Sequence, residues 1–186
     1  MTTTHPADTS TLIEPGTWAI DASHSSVGFV ARHLMVTKVR GTFGDVEGEI
    51  TIADDPFQSS VRASVDAASV SSGDEKRDGH LRSADFFDVE RFPRIEFVST
   101  KVEPKGDAFA LTGDLTVHGV TREVTWDLEF DGTVQDPWGG TRAGFSATIE
   151  VNRKDWGLEW NVALEAGGLL VSDKVRLHVE VEAVKQ

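Results

Sequence analysis

Along most of this 186-residue chain, apolar and polar side chains alternate with a period of two, placing every second residue on one face of an extended strand. Val27, Phe29 and Ala31 alternate with Gly28, Val30 and Arg32. Val46, Gly48, Ile50 and Ile52 alternate with Glu47, Glu49 and Thr51, and Val61, Ala63, Val65 and Ala67 with Arg62, Ser64 and Asp66. The second half is cleaner: Phe109, Leu111, Gly113, Leu115 and Val117 face one way, as do Val124, Trp126, Leu128 and Phe130. Phe145, Ala147, Ile149 and Val151 form another such row, and Val175, Leu177, Val179 and Val181 the last. Shorter strands are expected at 38–44 and 94–102. Turn residues separate the runs at Asp54-Asp55-Pro56, Pro104-Lys105-Gly106-Asp107, His118-Gly119, Asp131-Gly132 and Asp136-Pro137-Trp138-Gly139-Gly140. Two stretches, 74–90 and roughly 160–171, break the alternation and read as short helices. Residues 1–15 are rich in Thr, Ser and Pro and read as a disordered tail before a single domain over 16–186.

About eight half-apolar strands with few helices to cover them must bury their faces against one another, in a sandwich or a closed antiparallel barrel. A barrel of about eight strands is filled by side chains or encloses one small ligand. The inward set mixes Phe and Trp with Gly and Ala, which leaves room for a lumen. The run 109–117 extends ~30 Å at ~3.3 Å per residue, long enough to line a deep, narrow tunnel.

Charge narrows the partners. With 18 Lys and Arg against 31 Asp and Glu the net charge is −13, which repels phosphate backbones and anionic membrane surfaces, so nucleic acid is not an expected partner. Outward positions are mostly charged or Thr and Ser, so no exposed apolar patch is expected. No cysteine is present, which removes disulfides, thiolate catalysis and cysteine-based metal sites. The N-terminus has no basic start and no apolar run beyond Leu12-Ile13, and nothing later reaches the ~18 apolar residues of a membrane span. A cytoplasmic location without stable membrane insertion is the expectation.

Several clusters invite a chemical interpretation. Asp21, His24 and Ser25 offer the residue types of a triad, but neighbours on a strand point to opposite faces, and turn-capping explains them better. His33 shares the parity of Val27, Phe29 and Ala31 and is expected inward, as a bonded core histidine or a head-group contact. The six histidines show no metal-ligand spacing, and no metal is expected. The segment RDGHLRSADFFD (77–88) could supply acid, base and anion contacts, or could be a surface turn with Leu81, Phe86 and Phe87 packed down as a lid. Adjacent Phe86 and Phe87 cannot both face one way on a helix. Asn152 to Gly157 form a further polar knot, in which Arg153 is expected to pair with an acid. Familiar hydrolase, metalloprotease, nucleotide and calcium motifs are absent.

Four ordered motifs carry a resemblance. WAIDASHSSVGFVARHL with VRGTFGDVEGEI, then RDGHLRSADFFDVERFPRIEF, then LTGDLTVHGVT, and finally GFSATIEVNRKDWGL together resemble the YceI-like family, from Trp18 to about Glu182. The resemblance implies an elongated, lipocalin-like antiparallel β-barrel whose hydrophobic tunnel holds a long-chain lipid. That lipid is typically a polyisoprenoid, the tail of an isoprenoid quinone or a polyprenyl phosphate. Family members are often exported, and here no signal segment is recognised. For such a ligand Phe29, Phe43, Leu81, Phe86, Phe97, Leu115, Trp126, Phe145 and Trp156 are the expected lining. His33, Arg77, His80 and Arg82 are the expected polar contacts near a mouth. No cofactor beyond bound lipid is expected, and a homodimer is compatible with the shape. Two other functions stay open: a hydrolase or isomerase using His33 or the 77–88 cluster, and a stress-related scaffold without ligand.

Overall fold

The computed structural model describes residues 13–186. Ten strands lie among them: β1 (Gly16–Ile20), β2 (Ser26–His33), β3 (Thr37–Phe43), β4 (Glu47–Ile52), β5 (Ser60–Asp66), β6 (Arg94–Lys105), β7 (Ala108–Val117), β8 (Val120–Gln135), β9 (Thr141–Asn152) and β10 (Lys174–Lys185). One α-helix, α1 (Glu75–Arg82), lies between β5 and β6. Every pairing is antiparallel, in the order β1-β4-β5-β6-β7-β8-β9-β10, and β1 pairs with β10 to close the ring. β2 and β3 continue the same two edges. β10 offers Arg176–Glu180 to β2 and Ala183–Lys185 to β1, so β1 and β2 act as one long strand broken by a 3₁₀ turn at Ala22–His24. The result is a closed eight-stranded barrel in which β1/β2 and β3/β4 are each an interrupted strand.

The turns follow the local chemistry. His118 and Gly119 join β7 to β8 with φ of 53° and 71°, the left-handed pair that a tight hairpin requires. Asp136 ties the β8–β9 turn by accepting from the backbone N–H groups of Trp138 (3.0 Å) and Gly140 (2.8 Å). The α1 helix starts on Asp74, whose side chain accepts from the Arg77 N–H (2.9 Å).

Of the two helix expectations, the first holds over a shorter span and the second needs correction. Of 74–90 only Glu75–Arg82 is helical, and the chain then turns through Asp88, at φ 49°. Residues 160–171 form no helix. Gly167 and Gly168 sit at φ 85° and 93°, Ala163 bridges Leu169, and the Asn161 amide bonds both backbone groups of Val171 (2.7 and 3.0 Å). Consecutive left-handed glycines end a helix, and a side-chain amide substitutes here for a strand partner. The strand expected at 94–102 runs on to Lys105, with a register shift between Ser99 and Lys101. The tail expected over 1–15 lies largely outside the described residues. Two residues of its described end meet the barrel: Trp18 Nε1 donates to the Glu14 carbonyl (3.1 Å), and Ile13 joins the cluster around the fully buried Trp18.

The β1/β9/β10 seam carries a charged staple on its outer side. Arg142 of β9 bonds Asp21 (2.8 Å), Asp136 (3.0 Å) and Glu182 (2.5 Å). Hydrogen bonds from Ser23 first, then His24 and Arg142, hold the Asp21 carboxyl far below its ordinary value of 3.8. The Gly140 N–H and Arg142 lower Asp136 as well. A depressed carboxyl contributes stability that is complete above its unfolded value and lost as pH falls through the folded one. The urea midpoint should therefore hold from pH 7 to about 4 and fall below it. Arg142→Gln should start lower and fall less steeply in that acid range. Coincident curves for the two proteins would show that Arg142 contributes nothing to the staple.

Candidate functional site

The inward rows of the barrel do not meet. They enclose a cavity of about 360 Å³. Its walls are Val27 and Phe29 of β2, Phe43 of β3, Ile50 and Ile52 of β4, and Val61 and Val65 of β5. β6 and β7 add Ile95, Phe97, Leu111 and Leu115, and β8 to β10 add Trp126, Leu128, Phe130, Phe145, Ala147, Leu177 and Val179. Many of these remain only half-buried although they point inward, because they border space rather than a neighbour. Two glycines help keep the centre open. A Cβ on Gly41 would lie 2.2 Å from the Phe29 ring directly across the ladder, and one on Gly113 would meet Phe97 at 2.6 Å. At Gly41 any side chain would displace the ring, and at Gly113 the β6 backbone is closer still, with the Val98 carbonyl oxygen 2.4 Å from such a Cβ.

One end of the barrel is covered by two segments. In the first, α1 and the turns after it present Leu81, Phe86 and Phe87 to the cavity. Phe86 and Phe87 both face it, against expectation, because they sit in a turn rather than a helix. In the second, residues 153–173 bring Arg153, Trp156, Leu158 and Val171 to the same end. Aromatic contacts join the two: Trp160 lies edge-on to His80 (4.5 Å between centroids) and tilted against Phe86 (5.4 Å). Phe87 stacks edge-on to Phe43 (5.5 Å).

The expected site residues divide by polarity. Phe29, Phe43, Leu81, Phe86, Phe97, Leu115, Trp126, Phe145 and Trp156 all border the cavity. His33, Arg77, His80 and Arg82 do not. His33 is exposed, since β2 has passed the end of the wall when it reaches that residue and bridges Val171 instead; its expected inward orientation is corrected. Arg77 bonds Ser72 Oγ (2.7 Å) and the Ser72 carbonyl (2.8 Å). Arg82 bonds the carbonyls of Ala68 (2.9 Å) and Val70 (3.2 Å), while His80 meets Asp85 (2.8 Å). Buried Asp78 accepts from Ser72 N–H and Oγ (2.8 and 2.5 Å). The polar half of RDGHLRSADFFD therefore holds the lid in shape.

Among the described residues, Arg153 is the cation that borders the cavity. Only 5% exposed, it donates to the carbonyls of Ser172 (2.9 Å), Leu158 (2.5 Å) and Trp160 (3.0 Å). Its Nη2 stands 3.7 Å from Asp173 Oδ1, and neither atom has a hydrogen-bond partner among the described residues. Burial pushes the guanidinium below its usual value, opposed by the Asp173 charge. Trp126 Nε1 is likewise buried without an acceptor. The expected acid partner of Arg153 is thus present, but backbone carbonyls do most of the binding. Spacing could not show this, because those carbonyls belong to a loop that folds around the side chain.

Ser25, the hydroxyl expected beside Asp21 and His24, instead accepts from the Glu182 N–H (3.1 Å), and the serine that clusters with Asp21 and His24 is Ser23, though not as a relay. The same imidazole nitrogen, Nδ1, faces both Asp21 Oδ2 (2.9 Å) and Ser23 Oγ (3.1 Å), whereas a triad needs one nitrogen for each partner. Asp21, His24 and Glu182 also converge closely enough to hold an ion, but the Arg142 guanidinium already bonds both carboxylates.

Comparison with known proteins agrees with this geometry. The YceI-like domain family model matches residues 18–183. A UPF0312 protein of Pseudomonas putida strain GB-1 is 40% identical over 168 residues, covering 89% of this chain and 84% of its own. In fold, the chain is similar to Burkholderia cenocepacia BcnA (TM-score 0.74, 21% identity, 88% of this chain and 98% of that one). It is also similar to a polyisoprenoid binding domain from Saccharophagus degradans implicated in plant cell wall breakdown (TM-score 0.70, 15% identity, 93% and 100%). With four motifs in order, a closed eight-stranded barrel and a family match over nearly its whole length, the chain belongs to the YceI-like domain family.

Proposed function

We propose that this protein binds one long-chain isoprenoid lipid, the tail of a quinone or of a polyprenyl phosphate, in its barrel and serves as a carrier or store for it. The observation that carries this reading is the continuous apolar wall around about 360 Å³. Such a volume is within the range of small-molecule sites, which usually combine an apolar lining with a few polar groups. An isoprene unit contributes about 4 kcal/mol of transfer energy at ~0.8 kcal/mol per buried carbon. A few units would approach the practical limit of affinity before the ordering of a floppy chain is subtracted. Tight binding of the tail thus asks for no specific polar chemistry. On this reading the head group lies towards the covered end, a position supported by Arg153, which borders the lumen there.

Binding fits the geometry better than turnover. Glu96 and Arg153 are the ionisable residues bordering the cavity among the described residues, and Glu96 is exposed. A hydrolase or isomerase needs a positioned acid or base beside the reacting atoms, and His33 and His80 are both outside the wall.

Native mass spectrometry of freshly purified protein, followed by organic extraction, tests the proposal. One isoprenoid lipid per chain is expected. A protein that emerges empty and also refuses added quinones and polyprenyl lipids would overturn it. Ala147→Phe, which places a ring in the lumen, should weaken lipid binding about tenfold or more while the far-ultraviolet circular dichroism stays unchanged. His33→Ala and His80→Ala should retain their lipid, and loss of binding in both would return the histidines to the site.

A further inference from the structure

The turn between β2 and β3 has three features that the stability of the barrel does not require. Its three residues are apolar and in solvent: Leu34 is 43% exposed, Met35 53% and Val36 76%. Val162, 45% exposed, belongs to the adjoining loop, where the Leu34 N–H donates to the Leu170 carbonyl (2.9 Å). Secondly, Leu34 and Met35 occupy φ of 52° and 60°, with Val36 N–H donating to His33 O (3.1 Å). That is the geometry of a type I′ turn, normally given to Asn-Gly, and it is unfavourable for two large side chains. Thirdly, the hairpin is cationic in an acidic protein. Arg32, Lys38 and Arg40 are exposed, and Arg32 stands directly opposite Lys38, a like-charge pair that destabilises a sheet. Between Asp21 and Asp45 the chain has no acidic residue, although it carries 31 in all and a net charge of −13. Along the neighbouring edge Arg176 lies opposite Val30, and the acids nearest the hairpin are Asp173, which faces Arg153 (3.7 Å) and Lys154 (3.4 Å), Glu150, which pairs with Lys174 (3.5 Å), and exposed Glu165 of the adjoining loop.

We propose that this hairpin tip docks the protein on an anionic lipid bilayer. Leu34, Met35 and Val36 enter the interfacial layer, while Arg32, Lys38 and Arg40 meet the lipid head groups. An apolar insertion and a basic collar are the two signals that peripheral attachment to a membrane combines. A bilayer also fits the shape. A three-residue convex turn offers far less than the ~800 Å² per partner of a stable protein interface, and a second copy of the same cationic tip would be repelled. Trp138, 86% exposed at the opposite end of the barrel, lacks such a collar, because its turn is built on Asp136. The tip adjoins the covered end of the tunnel: His33 bridges Val171, and Val171, Ala31 and Phe29 border the lumen. Docking would thus bring the lidded end to the membrane. The inference extends the lipid-binding reading but rests on its own observations.

Flotation with vesicles of phosphatidylglycerol and phosphatidylcholine, against phosphatidylcholine alone, tests it. The wild-type protein should float with the anionic vesicles and be released in high salt. Leu34→Asn with Met35→Gly installs the preferred turn residues, so its melting temperature should hold or rise while vesicle binding drops at least tenfold. Lys38→Glu with Arg40→Glu should lose the preference for anionic vesicles. Wild-type protein that floats with neither vesicle, or equal binding by the Asn-Gly variant, would overturn the proposal. So would equal binding to neutral vesicles, or a tip-dependent dimer in place of vesicle binding. Extraction of lipid from the same samples separates the two readings. Docking by a protein that holds no isoprenoid would leave the tip standing and remove the cargo, whereas a loaded protein that ignores vesicles would do the reverse.

Discussion

β10 is the strand on which the rest of the structure depends. Its backbone donors and acceptors face β9 on one side along almost the whole of Lys174–Val184, and on the other side they are divided between β2 and β1. Without that divided edge the sheet would end in unpaired backbone groups at both β1 and β10, an aggregation-prone arrangement. With it the sheet has closed on itself, and the inward rows become the wall of one tube. The break at Ala22–His24 lets two short strands share one edge, and Asp21 caps that break while bonding Arg142 of β9. Closure, the 3₁₀ turn and the charged staple are thus one local solution.

Much of this was legible in the alternation. Every long row named from the sequence is a strand with its apolar side inward, because a period of two admits only one choice of face once the other side is charged. The apolar lining followed from the same parity, and Ile50, Leu128, Phe130, Leu177 and Val181 could have been added to it on that ground alone. Parity fails where the wall stops. His33 keeps the phase of Phe29 but lies past the rim, and alternation contains nothing about where a barrel ends. The polar residues of 77–88 hold the lid in shape, as one of the two readings had it, but their partners were not legible. Arg77 and Arg82 bond carbonyls at Ser72, Ala68 and Val70, a few residues back along a non-repeating path that has no sequence signature. The net charge is a total and contains nothing about its distribution. A total of −13 argues against an anionic surface only when the charge is evenly spread, and the β2–β3 hairpin is where it is not.

The segments at the covered end differ in kind from the barrel they cap. They owe little to regular ladders and much to single side chains used as fasteners: Asp78 on Ser72, Arg82 on the 68–70 turn, Arg153 on the 158–172 loop, Asn161 on Val171. Their apolar residues meet the lumen, and their mutual contact is a small aromatic group of His80, Phe86 and Trp160. The two segments meet through a few ring contacts, and each is tied to the barrel separately, Leu170 to Leu34 and Trp156 to Leu115 among the links. Local opening is drawn from the least stable parts of a protein, and here those parts stand over the tunnel.

The tunnel also bears on stability. At ~24 cal/mol per Å³, the coefficient measured for cavities left by core truncations, an unfilled 360 Å³ would cost about 9 kcal/mol. That is comparable with the whole net stability of a typical domain. A tunnel that admits water or lets its lid settle inward recovers part of this, so the figure is an upper limit. Even half of it explains why the fasteners outside the lumen are so numerous, since the wall cannot gain stability by packing against itself without losing the space. Gly41 and Gly113 illustrate the choice: each has a phenylalanine ring in the space that a Cβ would take, where a larger residue and a displaced ring would fill the centre. On the lipid-binding reading, the ligand supplies the missing contacts. A ligand that binds the folded state alone raises stability by RT ln(1 + [L]/Kd), so the bound lipid would act as the movable part of the hydrophobic core.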